Sequence, residues 1–155
     1  MEVIRAASTD TEFAQARTLF EEYAAGLAVD LCFQGFADEL ETLSRMYGPP
    51  GGVLLLAETA DGLAGCVAVR PMDGAVCELK RLYVRSRYRG TGLGRRLAET
   101  ALQAAREMGY TRIRLDTLPQ MQAAQRLYED LGFHDILAYY GKPMAGQRFM
   151  EAALI

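Results

Sequence analysis

Histidine is nearly absent from the sequence, and cysteine is scarce. The single histidine, His134, excludes any site built from several imidazole ligands, and a surface position suits it. Cys32, Cys66 and Cys77 form an odd set with no short spacing. That speaks against a disulfide framework and against a cysteine-based zinc site, so no metal is expected. A reducing compartment fits, and the cytoplasm is the expected location. No apolar run approaches a membrane span. Met1 to Asp10 carries acids and polar residues where a secretion signal needs an apolar stretch.

What is present describes an ordinary globular chain. Its 155 residues suit a single domain, 1–155, and at that length about 70% of the unfolded chain's surface can be buried. Half the residues are apolar, with 24% charged. The charge is uneven. Lys80, Arg81, Arg85, Arg87, Arg89, Arg95 and Arg96 crowd one short segment that holds no acid. With −3 overall, that segment's +7 leaves −10 on the rest. A local positive field on an acidic protein suits a small polyanion better than a nucleic acid, which needs a broad basic face. A merely solvated basic face is the plainer reading.

The pattern along the chain predicts a first strand over Val3–Ala7 and a capping box at Thr9-Asp10-Thr11-Glu12. A helix follows, marked by Phe13, Ala16, Phe20, Tyr23 and Leu27. A second helix, Phe36–Met46, stops at Gly48-Pro49-Pro50-Gly51-Gly52. Val53–Ala57 reads as a central strand. Turns at Ala60-Asp61-Gly62 and Met72-Asp73-Gly74 then make consecutive hairpins through Leu63–Arg70 and Ala75–Val84. A long helix runs from Leu93 to Met108, with Gly109 as its cap. Ile113, Leu115 and Thr117 alternate as a strand, Ala124–Leu131 as a helix, and Phe133–Tyr139 and Arg148–Leu154 as two last strands. The unit from Val84 through the long helix to Ile113 is a right-handed crossover between parallel strands.

Between strand and helix lies Arg89-Gly90-Thr91-Gly92-Leu93-Gly94. The first turn of a helix leaves N–H groups without partners, and glycines let an anion approach them closely. Such a loop is a phosphate site, to which Arg89 and Arg95 can add charged donors. A tight helix start alone is the alternative. The spacing is not that of a P-loop, since Arg95-Arg96 follows Gly94 with no hydroxyl for magnesium. Nor is it a dinucleotide fingerprint, whose third glycine would fall on Arg95 or Leu97.

The remaining pattern, Arg-x-x-Gly-x-Gly, resembles the cofactor motif of the GNAT superfamily of N-acetyltransferases. Glu78–Val84 looks like that family's fourth strand, and Ala124–Phe133 like its second motif around Leu-Tyr-x-x-Leu-Gly-Phe. The resemblance extends over nearly the whole chain and is weakest before residue 50. It implies an α/β (α+β) domain with a central mixed, mostly antiparallel sheet of roughly six to seven strands flanked by about four helices. Acetyl-CoA is the implied co-substrate. Main-chain groups of Leu82, Tyr83 and Val84 would pair with its pantetheine arm. Backbone N–H groups of Arg89, Gly90, Thr91, Gly92, Leu93, Gly94 and Arg95 would hold its pyrophosphate. The family often places an Asn after the fifth strand, and Asp116–Met121 offers none.

Amide formation needs a neutral amine, and lysine-like amines arrive protonated at neutral pH, so a base or a water relay is required. Glu78, inside a strand that should be buried, is the candidate base. Lys80 falls on the same face, so an ion pair between them is the alternative. Tyr128 is the candidate acid. By resemblance it lies near the thioester sulfur, and core packing is its alternative role. A backbone N–H near Val84 would serve the oxyanion. Tyr139-Tyr140-Gly141-Lys142-Pro143 is an aromatic turn where acceptor pockets lie in the family, or an ordinary loop.

The implied reaction is direct transfer to a primary amine of a small molecule or peptide in a ternary complex. Nine acids from Glu2 to Glu41 suggest a cationic acceptor, against the plainer reading of solvated helix faces. A non-catalytic acyl-CoA-binding module is the rival function. Neither nucleic acid nor membrane is an expected partner, and a homodimer is an expectation by analogy alone.

Overall fold

The computed structural model describes residues 2–27, 35–141 and 143–154. Cys32 and Lys142 lie outside them.

Seven strands form one sheet in the order β1-β2-β3-β4-β5-β7-β6. They are β1 (Val3–Ala6), β2 (Val53–Thr59), β3 (Gly62–Asp73), β4 (Val76–Val84), β5 (Arg112–Thr117), β6 (His134–Ile136) and β7 (Arg148–Ala153). Every neighbouring pair is antiparallel except β4 and β5, which run parallel on either side of the crossover. The helices are α1 (Asp10–Ala25), α2 (Phe36–Glu41), α3 (Leu43–Met46), α4 (Leu93–Glu107) and α5 (Gln122–Asp130). The single helix predicted over Phe36–Met46 is broken at Thr42, which leaves the helical region at φ −131°. The strand predicted over Phe133–Tyr139 is shorter, because pairing with β7 ends at Ile136.

Alternation along the strands sends side chains to two cores. On one face Leu55, Val67, Val69, Leu79 and Ile113 meet the apolar side of α4, with Leu93, Leu97 and Ala101 buried between. On the other, Leu54, Leu56, Cys66 and Ala68 meet Leu19, Phe20 and Tyr47 from α1 and the end of α3. The start of α1 is fixed as its sequence predicts. Thr9 accepts from the Glu12 N–H at 3.1 Å, and Glu12 accepts from the Thr9 N–H at 3.1 Å.

Strand β4 contains a bulge. Cys66 pairs with Tyr83 and Ala68 with Lys80, so two steps on β3 face three on β4. Arg81 absorbs the extra residue at φ 61°, a left-handed conformation that costs a non-glycine residue about 1–3 kcal/mol. Its surroundings enforce it. The guanidinium grips Glu39 of α2 with two hydrogen bonds, of 3.0 and 2.7 Å. It also lies over the rings of Phe36 and Tyr23. Opposite the bulge, a Cβ on Gly65 would collide with the Tyr83 carbonyl. Only glycine lets β3 come this close.

Candidate active site

The parallel ladder between β4 and β5 spans Val76–Glu78 opposite Arg112–Arg114 and then stops. Beyond it the strands diverge, and among the described residues Leu79–Val84 has no strand partner on that side. The gap is a cleft of about 450 Å³, walled by Leu82–Val84 on β4, the end of α1 at Tyr23 and Gly26, and Met121, Ala124 and Leu127 at α5. Arg89 and Gly94 stand at one end of it. An inner chamber of about 30 Å³ is lined by Leu79, Lys80, Asp116 and Tyr128. Cleft and chamber share Tyr23, Leu82, Met121 and Ala124 as walls.

At the outer end, Gly90 and Gly92 take φ values of 79° and 83°, which β-carbon sterics deny other residues. Gly92 caps α4 with no side-chain hydrogen bond, so the first-turn N–H groups remain open to an anion. Leu93 is buried and seats the helix against the sheet. The Thr91 hydroxyl donates to the Tyr88 carbonyl at 2.7 Å.

The arginines behave differently from their sequence reading. Arg81 pairs with Glu39, Arg85 with Glu22, Arg87 with Asp61, Arg95 with Asp130 and Arg96 with Glu2. The Arg95 side chain reaches Asp130 in a pair exposed at the surface. Most of the segment's +7 is spent on ion pairs that tie β4 and α4 to the rest of the fold. Among the described residues, Lys80 and Arg89 have no acidic partner. Arg89 donates to the Val84 carbonyl at 2.9 Å and lies over the Tyr83 ring.

At the inner end Tyr128 is buried against Phe133, edge to face. Burial pushes its phenol well above the ordinary value, so it stays protonated. Leu82, Tyr83, Val84, Arg89, Gly94 and Tyr128 thus line two adjoining spaces. Gly90, Thr91, Gly92, Leu93 and Arg95 form the loop and helix start beside it.

Glu78 lies outside both spaces. It is 1% exposed and faces Arg70 in register across β3 and β4. The predicted pairing with Lys80 is not formed. Arg70 Nε donates to Glu78 Oε1 at 2.8 Å, and the Tyr139 hydroxyl donates to Oε2 at 2.8 Å. The cross-strand position brings Arg70 to Glu78, whereas Lys80, two residues along, is carried to the opening of the sheet. Tyr139 belongs to the predicted aromatic turn and packs with Tyr140 and Phe149. Burial, then the Glu78 charge, holds its phenol protonated.

The sequence reading missed the bulge at Arg81, its partner Glu39 and the link from Tyr139 to Glu78. One signal was available. Leu79, Leu82 and Val84 are spaced three and then two apart, so strict alternation already fails at Lys80-Arg81.

The Acetyltransferase (GNAT) family profile matches residues 16–133. The chain belongs to the GNAT family of acetyltransferases. It is 42% identical over 137 residues to an uncharacterized N-acetyltransferase of Schizosaccharomyces pombe, spanning 87% of this chain and 84% of that one. A GNAT-family acetyltransferase of Staphylococcus aureus superposes over 100% of both chains with a TM-score of 0.80 at 20% identity. YncA of Salmonella typhimurium, solved with its cofactor acetyl-CoA, gives a TM-score of 0.71 at 21% identity over 99% of this chain and 94% of that one. At such identities the two structures speak to the fold alone. Among the described residues no cluster suited to a metal ion occurs, and no helix is long and apolar enough to cross a membrane.

Proposed function

We propose that this GNAT-family protein transfers an acetyl group from acetyl-CoA to a primary amine by direct attack in a ternary complex. The observation that carries the reading is the cleft from the glycine loop along the open edge of β4, adjoined by the chamber at Tyr128. The N–H groups of Gly90–Arg95 hold the pyrophosphate, that of Arg89 being taken by the Ser86 carbonyl, and the main chain of Leu82–Val84 pairs with the pantetheine arm as an added strand would. A main-chain N–H of the same open stretch serves the oxyanion. The chamber is a few times larger than the roughly 10–15 Å³ that one water needs, which suits a two-carbon acyl group. Tyr128 protonates the departing sulfur. Neither Tyr139 nor Glu78 lines the cleft or the chamber, so the proton of the attacking amine reaches Glu78 by a water relay through its hydrogen-bonded Tyr139.

Thiol release from acetyl-CoA across a panel of amines tests this reading. Turnover on at least one primary amine is expected, with longer acyl donors slower. Binding of acetyl-CoA without turnover on any amine would instead indicate a non-catalytic module. The acceptor's further charge is less marked than the acid count suggests. Glu2, Glu12, Glu21, Glu22, Glu39 and Glu41 are all paired with arginines.

Two variants probe the parts. Gly92→Val forces a β-branched residue to φ 83° and brings its Cβ to 3.2 Å from Arg96 Nη1. A distortion worth about 1–2 kcal/mol in the loop should weaken acetyl-CoA binding roughly tenfold, read by isothermal titration. Glu78→Gln should lower kcat by about a hundredfold, and an unchanged kcat would remove Glu78 from the proton path.

A further inference from the structure

Lys80 is left unused by this transfer, and its setting is unusual. Lys80 and Lys142 are the only lysines in a sequence whose positive charge otherwise comes from arginine. Lys80 is 8% exposed and lines the inner chamber beside Leu82 and Tyr128. Among the described residues nothing lies within hydrogen-bond or ion-pair distance of its amine. The nearby acids are engaged elsewhere: Glu78 by Arg70 and Tyr139, Glu39 by Arg81 and Tyr47, Asp116 by Gln147.

The amine keeps a little exposure, but an ammonium so nearly buried and without a partner is costly, and a neutral amine much less so. The groups around it are Glu78 and Arg81 on β4, Asp116 on β5, Tyr23 on α1, Glu39 on α2 and Tyr128 on α5. Burial, and next the Arg81 guanidinium, hold the Lys80 amine below its ordinary value, against the opposing pull of the acids. A desolvated lysine beside another cation is an activated nucleophile. Here it stands at the end of the path where the thioester carbonyl would lie.

We propose that Lys80 is a self-acylation site, which takes the acyl group from bound acyl-CoA when no acceptor amine is present. The inference rests on the acetyl-CoA reading above. The neutral Nζ attacks the thioester carbonyl carbon, the N–C bond forms and the C–S bond breaks. The proton lost by nitrogen ends on the departing sulfur, giving an amide and free coenzyme A thiol, with no change of oxidation state. The amide lacks the activation of a thioester, so the group is not passed on. It fills the chamber, and the enzyme is silenced when donor is plentiful and acceptor scarce.

The full chain, incubated with acetyl-CoA and no amine, provides the test through thiol release and peptide mass mapping. The expected result is a single stoichiometric release of thiol and an acetyl group on Lys80, both suppressed by excess free coenzyme A. Later turnover on an amine should fall in proportion to that occupancy. Lys80→Met, similar in length and apolar, should still bind acetyl-CoA and show no such release. An unmodified Lys80 in protein that binds acetyl-CoA and acetylates an amine overturns the inference and leaves the proposed function standing. Acetyl groups spread over Lys142 and the N-terminus, insensitive to coenzyme A, overturn it equally. Failure to bind acetyl-CoA at all overturns the functional reading and the inference with it.

Discussion

In the Tyr128→Phe variant, kcat should fall by about a hundredfold or more while acetyl-CoA binds as before. The substitution removes one oxygen and keeps the ring that packs on Phe133. Among the described residues that hydroxyl has no hydrogen-bond partner, so its loss breaks no buried bond and stability should hardly change. What is lost is a donor that burial keeps protonated. A thiolate leaving into the same narrow chamber is itself destabilised by burial, so the need for that proton grows as the C–S bond lengthens. Steady-state kinetics beside titration calorimetry separates the two quantities. Unchanged kcat would reduce Tyr128 to a packing residue.

The second large effect is on stability. Glu39→Ala should cost about 3–5 kcal/mol, a large share of the roughly 5–15 kcal/mol that holds a domain together. It removes the carboxylate that takes two hydrogen bonds from the Arg81 guanidinium, 3% exposed at its side chain, and the acceptor for the buried Tyr47 hydroxyl at 2.8 Å. It also frees Arg81 from its left-handed conformation, so activity should fall in the fraction that still folds. Urea denaturation reads the first effect and acetyl transfer the second. The same pair sets an acid limit. Burial pushes the Glu39 carboxyl up, but the hydrogen-bonded Arg81 outweighs it and leaves Glu39 below the usual carboxylate range. Its folded value lies under the unfolded one, so this stabilisation is complete above about pH 4.3. It drains away as pH falls through the folded value. In Glu39→Ala that part of the acid sensitivity should vanish.

The fold was largely legible because most of its determinants are local. The capping box at Thr9, the turn glycines and the apolar stripe of α4 act over a few residues each, and each appears where its pattern predicts. The glycine loop was legible for the same reason. The pairings were not. Arg70 meets Glu78, and Arg81 meets Glu39, across separations that only strand register and helix docking decide. The cluster of positive charge therefore reads as unpaired in the sequence, while five of its seven members meet acids distant in the chain, one pair buried and the others at the surface. The break at Thr42 and the early end of β6 are likewise tertiary outcomes, set by what each segment can pair with.

The three-residue parallel ladder between β4 and β5 has a mechanical consequence. Strands β1–β4 and strands β5–β7 behave as the two arms of a wishbone, joined at Glu78 and open toward Val84. A pantetheine chain laid along β4 becomes the missing rung between the arms. The donor is then a structural tie as well as a reagent. Its binding should raise the melting temperature and slow amide exchange along Leu82–Val84, while release of the free thiol after transfer should slacken the same joint.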